Sequence, residues 1–234
     1  MTPPPAPSPS RPVTRVPGER PNARGEATRQ RILGEAERLF AERGIEAVPL
    51  RDIGMAAGQR NHAAVQYHFG DRMQLIQEIV EFRGGASDER RATMVADLMF
   101  TGTPPGVTDI IGAFVRPLAM HLQEDNHYLG FLSRFITEEG GYEALGDRGT
   151  HAGASVVTLR ALLTRIVPEV PEKVLDERWW VTLTSAVHTL ARYQSAQRKR
   201  EHLPAQVDVL IDDLVAYLSA GIVAPVVEGD PRLG

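Results

Sequence analysis

Apolar residues recur at the spacing of one helix face from Gly25 onward. The first stripe follows an i, i+1, i+4, i+7, i+8 pattern, which predicts an amphipathic α-helix. Its members are Ile32, Leu33, Ala36, Leu39 and Phe40. We expect this helix to end at Gly44, because glycine takes the left-handed conformation of a helix terminus without a steric penalty.

Three further helices are predicted next. One runs from Leu50 to Ala57 and stops at Gly58, and another covers about residues 61–68. A longer one begins at Asp71, whose carboxylate can accept from free backbone amides while Gln74 completes a capping box. Its buried stripe consists of Leu75, Ile76, Ile79 and Val80.

The helical period continues beyond residues 84–85, interrupted only by short polar breaks. Three apolar stripes are predicted: Ile110, Ile111, Phe114, Val115, Leu118 and Leu122; Tyr128, Phe131, Leu132, Phe135 and Ile136; Val156, Val157, Leu163, Ile166 and Val167. Two long helices, at about 171–200 and 204–222, close the chain. Strand-like alternation is nowhere sustained, so the sequence predicts an all-α fold.

Composition narrows the class of protein. Apolar residues make up 42% and charged residues 24% of the 234 positions, as in ordinary globular proteins. The absence of cysteine excludes disulfides, thiolate metal sites and cysteine nucleophiles. No apolar run approaches the ~20 residues of a membrane span. The proline-rich start lacks the apolar segment of a secretory signal, so the expected compartment is the cytoplasm.

Four parts are predicted along the chain. Residues 1–24 form a disordered basic arm that either lies near DNA or is a solvated tail. Residues 25–70 form one domain, 71–224 a helical body and 225–234 a tail. Of the net charge of −4, residues 1–83 contribute +2, from 12 Arg and Lys against 10 Asp and Glu. A basic front on an acidic body favours nucleic-acid contact at one end, although chance also produces such asymmetry.

Residues 50–69, LRDIGMAAGQRNHAAVQYHF, carry the most specific signal. Two short helices joined by a tight turn with a glycine predict a helix-turn-helix, whose second helix can enter the major groove of DNA. The predicted contacts between the two helices are Ile53, Ala56, Ala57, Val65 and Phe69. The second helix is also rich in uncharged hydrogen-bonding residues, which an ordinary helical hairpin does not require.

Residues 28–76 resemble the DNA-binding domain of the TetR family of transcriptional regulators. The matching groups are Thr28 with Ile32 and Leu33, Leu39-Phe40, Arg43-Gly44, Arg51-Asp52-Ile53, Ala56-Ala57-Gly58, Tyr67-His68-Phe69 and Asp71-Arg72. The resemblance implies a regulator with an N-terminal helix-turn-helix domain and a larger C-terminal helical domain. It also implies a homodimer, formed through the last two long helices, that binds operator DNA with an inverted repeat.

Three positions depart from the family pattern. Pro49 stands where a Ser or Thr cap is usual, so the side-chain cap is lost. Gly54 replaces the usual alanine and weakens its helix by roughly 1 kcal/mol. The turn from Gly58 to Asn61 is one residue longer than the common pattern, which places Asn61 at the predicted N-cap of the recognition helix.

The predicted DNA contacts follow from side-chain chemistry. Asn61, His62 and Gln66 are candidates for reading base edges, because amides pair with adenine through two hydrogen bonds. Donors near helix starts or at the domain edge suit phosphate oxygens. The phosphate candidates are Thr28, Arg51, Arg60, Tyr67, His68 and Arg72.

A small-molecule effector pocket in the body is implied by the resemblance and not by spacing. The candidate lining residues are Phe114, Leu118, His121, Phe131, Arg134, Phe135, Trp180, His188 and Arg192. Arg134 and Arg192 stand in apolar segments and suit an anionic group on a ligand. The alternative for each of these residues is an ordinary core or surface role.

Enzymatic chemistry finds no support in the sequence. His121, Glu124, Asp125 and His127 form the one metal-like cluster, and a solvated helix end explains it better than a metal site. Phosphate-binding glycine loops and hydrolase motifs are missing. We expect no cofactor and no catalysis.

The function we expect is that of a dimeric repressor that leaves its operator when a small molecule binds in the body. The sequence also leaves two alternatives open. One is a DNA-binding regulator without a small-molecule ligand, controlled by a partner protein or by its own abundance. The other is a helical interaction module whose DNA-binding surface is vestigial.

Overall fold

The computed structural model describes residues 23–59, 63–100, 102, 104–141 and 153–226. All elements in these ranges are helical, as the periodicity predicts. Their bounds are α1 Ala23–Arg43, α2 Leu50–Ala56, α3 Ala64–Phe69, α4 Arg72–Phe100, α5 Val107–Ala119, α6 Tyr128–Glu139, α7 Ala154–Ile166, α8 Glu172–Arg198 and α9 Val207–Ile222. A 3-10 turn, Met120–Leu122, extends α5.

The ends of the first helices lie where the sequence predicts them. Gly44 follows α1 with a φ of +92° and donates its N–H to the Phe40 carbonyl. Asp71 and Gln74 form the predicted capping box, because the Gln74 N–H donates to Asp71 Oδ1 at 2.8 Å and the Asp71 N–H to Gln74 Oε1 at 3.2 Å. Helix α4 then continues through Gly84 and Gly85 to Phe100, a length of 29 residues.

One hydrophobic core joins the N-terminal helices to the rest of the molecule. It includes Phe40 of α1, Val65 of α3 and Ile79 of α4, and it continues through Phe131 of α6 to Leu190 of α8. Helix α6 packs against both α1 and α8, while α5 packs against α4 and α9. The helix-turn-helix therefore rests directly on the body.

The third predicted stripe is partly wrong. Val157 is 70% exposed, and the buried side chains of α7 are instead Leu159, Leu162 and Leu163. Helix α7 packs against α5 and α4, and this packing determines which of its residues are buried. Within the described residues, no helix has the length and apolarity that crossing a membrane demands.

Candidate DNA-binding site

Helices α2 and α3 form the predicted helix-turn-helix. Pro49 precedes α2 in an extended conformation, makes no side-chain cap, and accepts the N–H of Asp52 at 3.0 Å through its carbonyl. Gly54 is buried where the two helices meet, and a Cβ built on it would lie 3.4 Å from Val65 Cγ2. The small residue thus lies at the point where α2 and α3 approach each other.

The start of α3 differs from the prediction. The helix begins at Ala64, and Ala63 holds the capping position without a side-chain hydrogen bond. The N-cap is therefore Ala63 and not the predicted Asn61. Three predicted DNA contacts, Arg60, Asn61 and His62, lie outside the described residues.

The outer face of α3 presents Gln66 and Tyr67. The Tyr67 side chain is 85% exposed, whereas Ala64, Val65 and Phe69 of the same helix are buried. Exposed and buried side chains are thus clearly separated on this six-residue helix. A large aromatic hydroxyl and an amide thus project from an element that is fixed to the core through its opposite face.

The remaining predicted DNA contacts divide into exposed and packed side chains. Arg51 is exposed and lies 3.3 Å from Asp52 Oδ1, an exposed pair that contributes little to stability. Thr28 is half-buried and accepts a hydrogen bond from Arg31 at 3.4 Å. His68 is also half-buried, with its ring 5.3 Å from that of Tyr67.

Arg72 has a structural role that the sequence does not indicate. Its guanidinium donates to the Ile45 carbonyl in the turn after α1, and its side chain is half-buried. This bond ties the start of α4 to the turn that precedes α2. The guanidinium that was predicted to bind phosphate therefore already has a hydrogen-bond partner within the chain.

Two contacts that hold the helix-turn-helix in place have no signal in the sequence. The Glu138 carboxylate at the end of α6 accepts the N–H of Ile45 at 2.6 Å and of Glu46 at 3.3 Å. Arg29 of α1 pairs with Glu78 of α4 and lies 5.4 Å above the Phe69 ring. The Arg29–Glu78 and Ile45–Glu138 hydrogen bonds join residues 49 and 93 positions apart. Local sequence patterns carry no information at such separations.

The predicted effector-pocket residues fall into two groups. The first is buried in the body and consists of Phe114, Leu118, His121, Phe131 and Phe135. The second is exposed and consists of Arg134, Trp180, His188 and Arg192. The exposed four do not line the interior of this chain: Arg134 pairs with Glu138 at 3.4 Å, and the other three lie on the outer face of α8.

The metal-like cluster is only partly the solvated helix end that the sequence favours: Glu124 and Asp125 are exposed, but His121 is buried. His121 is only 2% exposed, and its Nδ1 lies 3.3 Å from both Glu124 Oε2 and Asn126 Nδ2. Burial lowers the pKa of His121, and the nearby Glu124 carboxylate opposes this shift. Among the described residues, no three His, Asp or Glu side chains are placed to hold a metal ion.

Two open surface hollows lie in the described part of the chain. One, of about 430 Å³, lies between the end of α5 and α9 and is bordered by Arg116, Met120, Glu124 and Asp212. The other, of about 420 Å³, lies beside the end of α3. Neither hollow is bordered by a predicted effector contact. The second is bordered by His68, which is a predicted DNA contact.

Comparison with known proteins agrees with this geometry. A family model described as bacterial regulatory proteins of the tetR family matches residues 32–79. A second model, the tetracyclin repressor-like C-terminal domain, matches residues 112–221. The HTH-type transcriptional regulator AcrR of Shigella flexneri is 43% identical over 54 residues, which span 25% of that regulator's length.

Solved structures show the same fold. A crystal structure of a gamma-butyrolactone receptor, an ArpA-like protein, has a TM-score of 0.50 and 19% identity; the match covers 84% of this chain and 98% of the receptor. A second solved structure, a TetR-family regulator from Streptomyces coelicolor A3, is 19% identical with a TM-score of 0.42, and the match covers 88% of this chain and 98% of that regulator.

The two family models match two different parts of the molecule. One matches α1 to α3 with the start of α4, where the exposed face of the recognition helix lies, and the other matches most of the helical body. Together they cover more than half of the chain. Members of the family are transcriptional regulators and not enzymes. The chain belongs to the TetR family of bacterial transcriptional regulators.

Proposed function

We propose that this chain is a dimeric repressor that binds an inverted-repeat operator and leaves it when a small molecule binds in the body. TetR-family regulators bind operator DNA and small molecules, and dimers are typical of them. The observation that carries the proposal is the outer face of α3, where Gln66 and Tyr67 project from a helix whose other face is buried.

Gln66 is the base-reading residue in this proposal. Its amide can donate to and accept from the edge of an adenine at the same time, which a phosphate contact does not require. Tyr67 and Arg51 supply exposed donors for phosphate oxygens on either side of it. Thr28, His68 and Arg72 stay in the proposal as secondary phosphate contacts, and Arg60, Asn61 and His62 as contacts from the preceding turn.

The dimer surface is the outer face of α8 and α9. On α8, Trp180, His188 and Arg192 are exposed and Thr184 is half-buried. The exposed residues of α9 include Val209, Ala216, Tyr217 and Ala220, and Val223 just after the helix is exposed as well. Arg178 donates to the Ile222 carbonyl at 2.8 Å, so the start of α8 lies beside the end of α9. Apolar and small side chains exposed on two adjacent long helices favour burial against a second copy.

Release of DNA requires a connection between the body and the recognition helix. Helix α6 contacts α1 at both of its ends: Glu37 of α1 accepts the N–H of His127 just before α6, and Glu138 near the other end binds the turn after α1. Because α1 packs on α2, a displacement of α6 by an effector would move the helix-turn-helix. The effector then acts by binding one arrangement better than the other.

The first experiment selects the full-length protein against a randomised duplex library at ~150 mM salt, near physiological ionic strength. We expect enrichment of an inverted repeat with half-sites about 34–36 Å apart, one helical turn. On that operator, Gln66→Ala should lose discrimination at one base pair, by about 1–3 kcal/mol. Gln123→Ala, an exposed glutamine of the body, serves as the matched control and should bind as the unmodified protein does.

The dimer is tested separately by sedimentation equilibrium. We expect Trp180→Asp and Tyr217→Asp to shift the protein toward monomer, because each places a charge in the proposed interface. Val157→Asp also adds a charge at an exposed valine, but on α7 and away from this face; it should leave the mass unchanged. Operator binding that survives Tyr67→Ala and Arg51→Ala without loss would contradict the DNA-reading role and favour the interaction module.

A further inference from the structure

The interface between α4 and α5 contains two buried polar side chains whose bonding is incomplete. Arg91 of α4 and His121, just after α5, are each 2% exposed. Within the described residues, Arg91 Nε and His121 Nε2 have no hydrogen-bond partner. Buried polar atoms are almost always paired, so two unpaired ones at the same interface call for an explanation.

The charge of Arg91 is only partly compensated. Its Nη1 pairs with the Asp88 carboxylate one turn earlier and lies 3.5 Å from Ser155 Oγ. Burial raises the pKa of Asp88 and so disfavours the charge that Arg91 needs, while Arg91 itself acts in the opposite direction. The guanidinium also lies 5.7 Å from the centre of the Phe114 ring. A buried cation with one disfavoured counter-charge gains from a second anion.

His121 provides a neutral hydrogen-bonding group at the other end of the interface. Its Nδ1 faces Glu124 and Asn126, its ring lies 4.6 Å from that of Tyr128, and burial lowers its pKa. Gln194 of α8 donates to the His121 carbonyl at 3.1 Å. The ring is thus held in place, with Nε2 as its remaining polar atom.

Helical spacing places these groups on facing surfaces. Phe114, Leu118 and His121 follow i, i+4, i+7 spacing along α5 and its 3-10 extension. Gly84 and Arg91 are seven residues apart on α4, a rise of about 10 Å. A Cβ on Gly84 would lie 2.9 Å from Tyr128 Oη, so this ring, which also contacts His121, rests on the α4 backbone. One end of the interface therefore holds Arg91, and the other holds His121.

We propose that this interface is the effector site and that it binds a small amphipathic carboxylate. The carboxylate pairs with Arg91, the apolar part lies against Phe114 and Tyr128, and a polar group at the other end of the ligand reaches His121 Nε2. A carboxylate fits better than a phosphate dianion, because Arg91 is the only fully buried Arg or Lys among the described residues. The inference rests on the proposed function, since it assumes that the body binds an effector.

Binding at this interface also has a route to the DNA-binding helices. Phe114 and Arg91 are buried against each other, so a ligand must displace α4 relative to α5 to enter between them. Helix α4 begins directly after α3, and its Arg72 binds the turn before α2. The same displacement would therefore reach the recognition helix.

The test measures binding to the full-length protein without DNA, by calorimetry and by tryptophan fluorescence, because the Trp179 ring lies 5.8 Å from that of Phe114. The probes are octanoate, 8-hydroxyoctanoate and 4-phenylbutyrate, each compared with its primary amide. We expect carboxylates to bind about 10- to 100-fold more tightly than the amides, the range for a hydrogen bond to a charged group. 8-Hydroxyoctanoate should exceed octanoate, and His121→Phe should remove that difference.

Variants separate the site from general stability. Arg91→Met risks leaving Asp88 buried without a partner, so it is paired with the neutral double variant Asp88→Asn/Arg91→Met. Both should lose carboxylate affinity about 10- to 100-fold and bind the amides unchanged. Arg90→Met removes the exposed neighbouring arginine and should bind like the unmodified protein.

Three results would overturn the inference: equal affinity for carboxylates and amides, unchanged affinity in the double variant, or no carboxylate binding up to the solubility limit. Each is distinct from failure of the proposed function. If carboxylates bind through Arg91 but leave the operator complex intact, the site stands and ligand-controlled release is wrong. If other metabolites release the operator while these probes do not bind, release stands and the carboxylate site is wrong.

Discussion

The recognition helix and the α4–α5 interface both present polar groups without full bonding, but in opposite surroundings. Tyr67 and Gln66 of α3 are exposed, where solvent can satisfy their polar groups. Arg91 and His121 are buried, where an unpaired polar atom destabilises the folded state. Exposed polar groups therefore cost little stability, whereas buried ones depend on surrounding contacts that fix their positions.

The largest effect is expected for Glu37, which is 1% exposed in α1. Its carboxylate accepts from Arg83 Nε at 2.6 Å and from the His127 N–H, joining α1, α4 and the segment before α6. Glu37→Ala leaves both donors without their acceptor and should lower the free energy of unfolding by about 2–4 kcal/mol. Urea denaturation at a fixed protein concentration measures this loss.

Glu35 provides the control on the same helix. It pairs with Arg38 at 2.7 Å, and both side chains are about one-third exposed. Glu35→Ala should cost under about 1 kcal/mol, because solvent screens such surface pairs. Equal losses for the two variants would mean that the buried bridge adds nothing beyond a surface pair.

The next effect concerns Glu138 and the turn before α2. Glu138→Ala removes the acceptor for the N–H groups of Ile45 and Glu46 and should lower stability by about 1–2 kcal/mol. Hydrogen exchange should accelerate at these two amides in particular. Glu139→Ala is the neighbouring control. Unchanged exchange at Ile45 in Glu138→Ala would show that α6 does not hold this turn.

Acid should lower the free energy of unfolding, because two histidines of the body resist protonation in the folded state. Burial lowers the pKa of His121 and of His127 from 6.5, with Arg198 adding to the effect at His127. Below pH 6.5 the unfolded chain therefore takes up protons that the folded chain does not yet bind, so stability falls with pH until the lower folded pKa is reached. The slope is at most about 1.4 kcal/mol per pH unit for each histidine.

Denaturation on both sides of pH 6.5 checks this slope. His121→Gln should reduce it, while His188→Gln, at an exposed position of α8, should not. A slope that is identical in all three proteins would mean that His121 binds protons equally in the folded and unfolded states.

The same contrast explains which features could be predicted from the sequence. The helices, the stop at Gly44 and the capping box at Asp71 depend on neighbours within a few residues, and the structure confirms them. The two short helices around the Gly58 turn predict the helix-turn-helix, and the family model confirms it. The exposed face of α3 was also predictable from local sequence, because the predicted second helix is rich in uncharged hydrogen-bonding residues.

The buried contacts could not be predicted in this way. Trp179 and Trp180 are adjacent aromatics at the edge of one stripe, and only the packed helices show that the first is buried and the second 41% exposed. Arg91 follows Arg90 in a charged segment, which an amphipathic pattern assigns to the surface. Its burial depends on Phe114 and Ser155, which lie 23 and 64 positions away and belong to other helices.

The smallest effect is a gain in stability at Gly54, where α2 meets α3. A Cβ there would lie 3.4 Å from Val65 Cγ2, an ordinary van der Waals contact. Gly54→Ala should therefore raise the free energy of unfolding by about 0.5–1 kcal/mol, the difference in helix propensity, and leave operator affinity unchanged. Gly70→Ala is the contrasting variant: Gly70 has a φ of +73°, where alanine costs about 1–2 kcal/mol. Denaturation and operator titration measure both variants. Lost stability in Gly54→Ala would mean that α2 and α3 cross too closely for a methyl group, and that the recognition helix is held by that close approach.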